Sequence, residues 1–278
     1  MLFKIIQPSI HLQPFIKDFF LLHFVFDRNA PVAVKPFPAN TDHCLVFYIR
    51  GSITAFDTAT GKVNNFARIA INGSQVSNFN FNLSSEFLML SVNFQPGAMS
   101  KFLQSPLTEF TDERIDAETV LNPAISTLYQ QMLNARTNEN IIQITEQYLW
   151  KKIQTIKTDF QPIDKVSRLM VQNPVGYSVE KLADYACLSI SQFERRFIQQ
   201  MGIAPKLYNR INRFYSAYLL KGKRPNLDWL SIAVHTGYND YQHLVKDFKQ
   251  FSGTTPNCLL AAENKAPGRA LELIARNQ

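Results

Sequence analysis

The sequence predicts an α+β chain: an N-terminal β-rich barrel or sandwich with packed helices, followed by an all-α C-terminal domain. Three observations carry this. Up to residue 95, short β-branched and aromatic runs alternate with Asn, Gly, Ser and Pro punctuation. From Gln95-Pro96-Gly97-Ala98 onward, apolar residues recur at helical spacing. Between residues 182 and 256 one bihelical unit occurs twice, at an offset of 50 to 51 residues.

In chain order, the expected strands are Phe19 to Phe26, Cys44 to Ile49, Ile53 to Phe56, Gln75 to Leu83 and Phe87 to Phe94. Pro36-Phe-Pro38-Ala-Asn40, Arg50-Gly51-Ser52, Thr58 to Lys62 and Asn72-Gly73-Ser74 have turn chemistry between them. Over 98 to 157, Ile142, Thr145, Leu149 and Ile153 line one helical stripe, with Ile141, Ile144 and Tyr148 beside it. Such helices either cover the barrel or pair as a dimer seam, and the sequence leaves both open. Lys157-Thr-Asp-Phe-Gln-Pro162 is polar and Pro-terminated. A new stripe follows, Ile163, Val166, Leu169 and Met170, ended by Asn173-Pro174 and Gly176. The expected organisation is 1–157, 158–262 and a tail, 263–278, that forms a short helix or frays.

The repeat aligns Leu182-Ala183 and Cys187 with Ile232-Ala233 and Gly237 at an offset of 50. After one added turn residue, Ser189, Phe193, Arg195, Phe197, Gly202 and Pro205 align with Asp240, Leu244, Lys246, Phe248, Gly253 and Pro256 at 51. Each copy has the parts of a helix-turn-helix: a short helix with an aliphatic–Ala pair, a tight turn, then a second helix opened by an N-cap. Ser189-x-x-Gln192 has the form of a capping box. If Phe193 and Phe197 face inward at i and i+4, then Ser191, Gln192, Glu194, Arg195 and in part Gln199 face outward. The equivalents in the second copy are Tyr241, Gln242, Val245, Lys246 and Lys249. Arg suits guanine, Gln suits adenine, and an apolar edge suits the thymine methyl, so this face fits major-groove reading.

Charge supports the same half. The net +7 and pI near 9.3 are modest, but residues 1–158 hold 13 Lys+Arg against 12 Asp+Glu, whereas 159–278 hold 16 against 10. The positive field therefore lies in the C-terminal half. Three widely spaced cysteines, Cys44, Cys187 and Cys258, fit a reducing cytoplasm. The longest apolar run, Phe19 to Phe26, is eight residues against the ~20 that cross a bilayer. Lys4, Pro8, His11 and Lys17 interrupt any signal-peptide stretch. A cytoplasmic protein without membrane association is expected. His43-Cys44 with His11 and His23 lack metal-ligand spacing, because adjacent strand positions face opposite ways, so no metal and no cofactor are expected. Phe24, Phe26, Phe47, Tyr48, Phe79, Phe81 and Phe94 read as core more readily than as a pocket lining.

Residues 163 to 260 resemble the C-terminal DNA-binding domain of the AraC/XylS family of bacterial transcription regulators. The matching residues are Leu182-Ala183, Leu188-Ser189-x-Ser191-x-Phe193-x-Arg195-x-Phe197, Gly202-x-x-Pro205, Ile232-Ala233, Gly237-Tyr238-Asn239-Asp240, and His243-Leu244-x-Lys246-x-Phe248-Lys249-x-x-x-Gly253-x-x-Pro256. The resemblance implies two helix-turn-helix units joined by a long helix, here Lys206 to about Lys221, with Ile211, Phe214 and Tyr218 on its inner side. It implies recognition helices one duplex turn apart, roughly 34 Å. Base contacts fall on Ser191, Glu194 and Arg195 in the first unit and on Tyr241, Gln242 and Lys246 in the second. Phosphate contacts are expected from Lys181, Arg196, Lys206, Arg210, Lys223 and Lys249, with Arg213, Lys221 and Arg224 as further cations.

Three departures stand out. Cys187 occupies a turn position often held by Gly, Glu194 places an acid on the reading face, and Lys246 replaces the commoner Arg. The order Phe19-Phe20, Pro36 to Tyr48, Val92-x-Phe94-x-Pro96-Gly97-Ala98 and Leu107-x-Glu109-Phe110 resembles an uncharacterised sensor-like domain found ahead of this module. Double-stranded DNA, RNA polymerase and a small-molecule effector are the implied partners, for a monomer or homodimer. An alkyl-transfer enzyme would need a reactive Cys and a metal-binding Cys set, neither of which the sequence contains, so no enzyme is expected. An adaptor acting through the 98–157 helices is the remaining alternative.

Overall fold

The computed structural model describes residues 2–26, 33–57, 60–61, 63–156, 161–173 and 177–266. In chain order the strands are β1 (Leu2–Ile6), β2 (Ile16–Val25), β3 (Ala33–Phe37), β4 (Cys44–Arg50), β5 (Ile53–Asp57), β6 (Val63–Asn65), β7 (Ile69–Asn72), β8 (Phe79–Leu83), β9 (Glu86–Phe94) and β10 (Arg114–Asp116). The helices are α1 (Ala98–Leu103), α2 (Ala117–Val120), α3 (Ala124–Leu133), α4 (Asn138–Gln154), α5 (Pro162–Gln172), α6 (Val179–Tyr185), α7 (Ile190–Met201), α8 (Pro205–Lys223), α9 (Trp229–His235), α10 (Tyr241–Ser252) and α11 (Pro256–Lys265).

The strands form two antiparallel sheets, a six-stranded one in the order β1-β2-β9-β4-β7-β10 and a four-stranded one in the order β3-β8-β5-β6. The larger sheet is buried on both faces. Leu45, Phe47 and Ile49 of β4 join the core under the helices. Val46 and Tyr48, one register step away, join the core between the sheets. Burial on both sides is why β4 reads as an unbroken apolar run instead of an alternating one. α3 and α4 cover the outer face with Ile125, Leu128, Met132, Ile141, Leu149 and Ile153, and Tyr129 donates a 2.7 Å hydrogen bond to the Tyr48 carbonyl. The buried row of α4 starts at Ile141, with Ile142 at its margin.

Several elements differ from the sequence expectation. Pro36 lies within β3, which is tolerated because β3 is an edge strand and needs no donor on its outer side. The strand expected from Gln75 starts only at Phe79, since the Asp112 carboxylate takes the Val76 and Ser77 amides and bends the chain away. Five strands, β1, β3, β6, β7 and β10, lie outside the expected ones. β10 falls inside a region whose pattern reads as helical. Part of the Thr58–Lys62 turn, the polar segment at 157–160, the 174–176 stop and the tail beyond 266 lie outside the described residues; of the tail, Glu263 to Lys265 continue α11.

A short β-bridge pairs Asn40 with Gln75, and the residues flanking it join the sheets to the helical half. Beside it, the Ala39 amide donates to the Phe251 carbonyl at the end of α10 (2.9 Å). The Thr41 hydroxyl donates to Asn212 Oδ1 of α8 (2.6 Å), and the Ser74 hydroxyl donates to the Met201 carbonyl at the end of α7 (2.7 Å). Gly202, at φ 81°, closes α7 in the left-handed region, and a Cβ there would meet the Leu107 carbonyl oxygen at 2.8 Å.

His43 is buried at this junction, with Nε2 3.0 Å from Ser74 Oγ. Because the Ser74 hydroxyl points at Met201, the neutral Nε2–H tautomer supplies the donor. Burial pushes the imidazole down to about 4 from its ordinary 6.5. The unfolded chain therefore binds the extra proton between pH 6.5 and 4. Stability is complete above this window and falls through it by about 3 kcal/mol as pH drops. Urea unfolding at pH 7 and pH 4.5 should show this loss, and His43→Gln should reduce it. An identical pH slope in His43→Gln would assign the loss to other groups.

Candidate nucleic-acid interface

Both copies of the repeat fold as helix-turn-helix units. In the first, Ser178 caps α6 by accepting from the Lys181 amide, and α6 buries Leu182 and Ala183. The turn places Cys187 at φ 54°, matching Gly237 at φ 76° in the second unit. The first turn thus holds a side chain in the left-handed region, at a cost of roughly 1–2 kcal/mol that the Gly copy avoids. α7 opens with the complete capping box of Ser189 and Gln192. Its inner row is Phe193, Phe197 and Met201. Ser191, Gln192, Glu194, Arg195, Arg196 and Gln199 are exposed.

In the second unit Asp228 caps α9 through the Ser231 amide, and Ile232 and Ala233 are buried. Asp240 caps α10, accepting from the His243 amide and pairing with its ring. Leu244, Phe248 and Phe251 form the inner row. Gln242, His243, Lys246, Lys249 and Gln250 are exposed, whereas Tyr241 and Val245 are half-buried, Tyr241 against the core.

The 19-residue α8 is about 28 Å long. Tyr208 near its start meets Phe197 of the first unit with ring centroids 5.3 Å apart. Phe214, later on the same helix, meets Phe248 of the second at 4.8 Å. One apolar core runs from Ile163 to Leu259 through both units. α7 and α10 are therefore fixed to one rod.

The expected phosphate ligands divide. Lys181, Arg196, Lys206, Lys223, Arg224 and Lys249 are exposed. Arg210 is committed to Asp247 (2.6 Å) and Gln250 (2.7 Å). Lys221 donates to the Pro225 and Leu227 carbonyls and stays over the Trp229 ring, tying down the loop ahead of α9. A cleft between α8 and α10 brings together Lys206, Arg210, Arg213, His243, Lys246 and Asp247. The sequence reading missed Asp247, although its signal was present: an acid at i+3 from Leu244, on the apolar row.

A second cavity, about 200 Å³, lies between the two sheets and is bordered by Tyr215 and Tyr218 of α8 and Glu263 of α11. Its walls are apolar, including Phe3, Phe20, Phe81 and Phe87, and its polar margin includes Lys17, Lys35 and Asp42. Of the aromatics expected in the core, Phe24, Phe47, Tyr48, Phe79 and Phe94 are buried, whereas Phe26 and Phe81 are half-buried; Tyr48 and Phe81 also border this cavity. Among the described residues no group of three or more His, Cys, Asp or Glu is placed to hold a metal ion. No described helix is long and apolar enough to cross a membrane.

Residues 4–116 match a family described as "Domain of unknown function (DUF6597)". An uncharacterized HTH-type transcriptional regulator of Haemophilus influenzae is 30% identical over 90 residues, 32% of this chain and 30% of that one. The arabinose operon regulatory protein of Escherichia coli K12 is 24% identical over 148 residues, 49% of this chain and 50% of that one. This chain spans about half the length, or less, of these curated relatives. The crystal structure of ToxT from Vibrio cholerae shares the fold, with a TM-score of 0.50, 13% identity, and coverage of 88% of this chain and 99% of that one.

Proposed function

We propose that this chain is a transcription regulator of the AraC family and that it binds double-stranded DNA sequence-specifically through two recognition helices in successive major grooves, a reading its partial likeness to the arabinose operon regulatory protein and the fold it shares with ToxT support. The observation that carries this is the pair of capped helices, α7 and α10, whose N-terminal turns are exposed while their inner rows share one core. The rigid α8 holds them apart, the arrangement a monomer needs to span one duplex turn of roughly 34 Å. Ser191, Glu194, Arg195, Tyr241, Gln242 and Lys246 contact bases in this reading. Lys181, Arg196, Lys206, Lys223 and Lys249 hold phosphates, with Arg210 acting through Asp247 instead. RNA polymerase is the further partner of such a regulator, and no enzymatic step is assigned to it.

The cavity between the sheets favours control by a small molecule with an apolar body and a polar head. Its walls join the sensor-like half to α8 and α11 of the DNA-binding half. Occupancy there would bear on the helix that holds both recognition helices.

Arg195→Ala and Lys246→Ala should each relax base preference and cost about 1–3 kcal/mol on a selected duplex. Lys223→Ala should weaken selected and random duplexes alike and flatten the salt dependence by about one. Filter binding across a salt series checks both. Equal losses on selected and random DNA for Arg195→Ala would remove it from the reading face.

A further inference from the structure

A charged residue buried inside a recognition helix needs a reason. Asp247 is 4% exposed and lies on the inner side of α10 beside Leu244 and Phe248. The bihelical fold does not require an acid there, because the equivalent position of the first unit is the exposed Arg196. A buried carboxylate persists only when its lone pairs are matched. Arg210 donates to Oδ1 (2.6 Å), Arg213 to Oδ2 (3.3 Å), and the Tyr238 hydroxyl to Oδ2 (3.1 Å). Arg213 also lies over the Tyr238 ring, 4.1 Å from its centroid. Burial, reinforced by the Asp247 charge, raises the Tyr238 phenol well above its ordinary value, so it stays a donor at neutral pH. Both arginines come from one face of α8, and Tyr238 comes from the turn.

Apolar contacts set the distance between α10 and α8 and oppose large rotations that would expose Leu244, Phe248 and Phe251, but they discriminate less sharply among small ones, because hydrophobic attraction is non-directional. Guanidinium groups converging on one carboxylate are directional. Lys246 is the next residue on the helix, so a rotation of α10 re-aims it directly. Resting on the DNA-reading function above, we propose that Asp247 is a specificity-determining positioning residue. It fixes the rotation of the second recognition helix against α8 and withholds Arg210 and Arg213 from the phosphates.

The test uses the full chain. Wild type selects duplexes from a random pool, and affinities for the enriched and a scrambled duplex are measured across a salt series. Asp247→Asn should lower the enriched-to-scrambled ratio by about tenfold or more. It should also steepen the salt dependence on scrambled DNA by about one to two, as the released arginines reach phosphates. Arg213→Gln, which leaves Arg210 on the carboxylate, should lower the ratio without flattening that dependence; it serves as the second variant if Asp247→Asn melts below the assay temperature. An unchanged ratio in both variants would overturn the proposal, as would an Arg213→Gln that flattens the salt dependence by about one. Should wild type enrich no sequence, the DNA-reading function itself fails and takes the proposal with it; a failure of Asp247 alone leaves wild-type enrichment intact.

Discussion

Phe248→Ala is expected to destabilise the chain by about 3–5 kcal/mol, through lost burial and the cavity left behind. The ring is fully buried and meets two others, Phe214 of α8 at 4.8 Å and Trp229 of α9 at 5.2 Å, so its removal loosens α10 from both neighbours at once. Phe197→Ala should act similarly in the first unit, where the ring meets Phe193 and Tyr208. The sequence alone suggests that each substitution unfolds its own unit. The continuous core through α8 argues instead for one shared transition in the helical half. Denaturant unfolding followed by far-UV circular dichroism checks this, and unchanged midpoints would show that neither ring is part of the core.

Lys101→Met is expected to cost a comparable 3–5 kcal/mol, for an electrostatic reason. Lys101 of α1 and Asp164 of α5 form a 2.8 Å ion pair whose side chains are 6% and 3% exposed. Asp164 also accepts from the Gln161 amide (2.6 Å) and from Gln200 of α7 (2.9 Å). Removing the ammonium leaves a buried carboxylate without its hydrogen-bonded cation, the arrangement that makes half-broken buried pairs strongly destabilising. Adding Asp164→Asn should recover much of the loss, since the amide oxygen still accepts from Gln161 or Gln200 and carries no charge. A double variant as unstable as Lys101→Met would show that packing, not the unpaired charge, sets the cost. Because this pair ties α1 of the N-terminal half to α5 and, through Gln200, to α7, its loss is also expected to loosen α7 from the sheets.

The legible parts of the fold were those written in consecutive residues. The Ser189–Gln192 capping box and the inner rows at Phe193/Phe197 and Leu244/Phe248 depend on spacings of three and four residues, and the repeat, with its turn at Cys187 matching Gly237, on one offset of 50 to 51. The strands that escaped are short, and partners define them. β10 has three residues, Arg114 to Asp116, and exists because β7 offers an edge. β3 contains a proline and exists because β8 pairs with it. Among the candidate DNA contacts, exposure followed from helical periodicity except at Tyr241, which packs against the core, and the commitments of Arg210 and Lys221 did not follow from it.

The sequence by itself determined that two capped bihelical units occur, which face of each is apolar, and that the cations concentrate in the same half; composition and local periodicity suffice for these. Tertiary structure alone decided which cations are exposed and which are held by Asp247 or by loop carbonyls. It also decided that Lys101 meets Asp164 across the two halves, and that Ala39, Thr41 and Ser74, flanking the bridge of Asn40 with Gln75, reach α10, α8 and α7. A charge or hydroxyl advertises its need for a partner. Which group answers, dozens of residues away, is set only when the chain closes on itself and water is excluded from the contact.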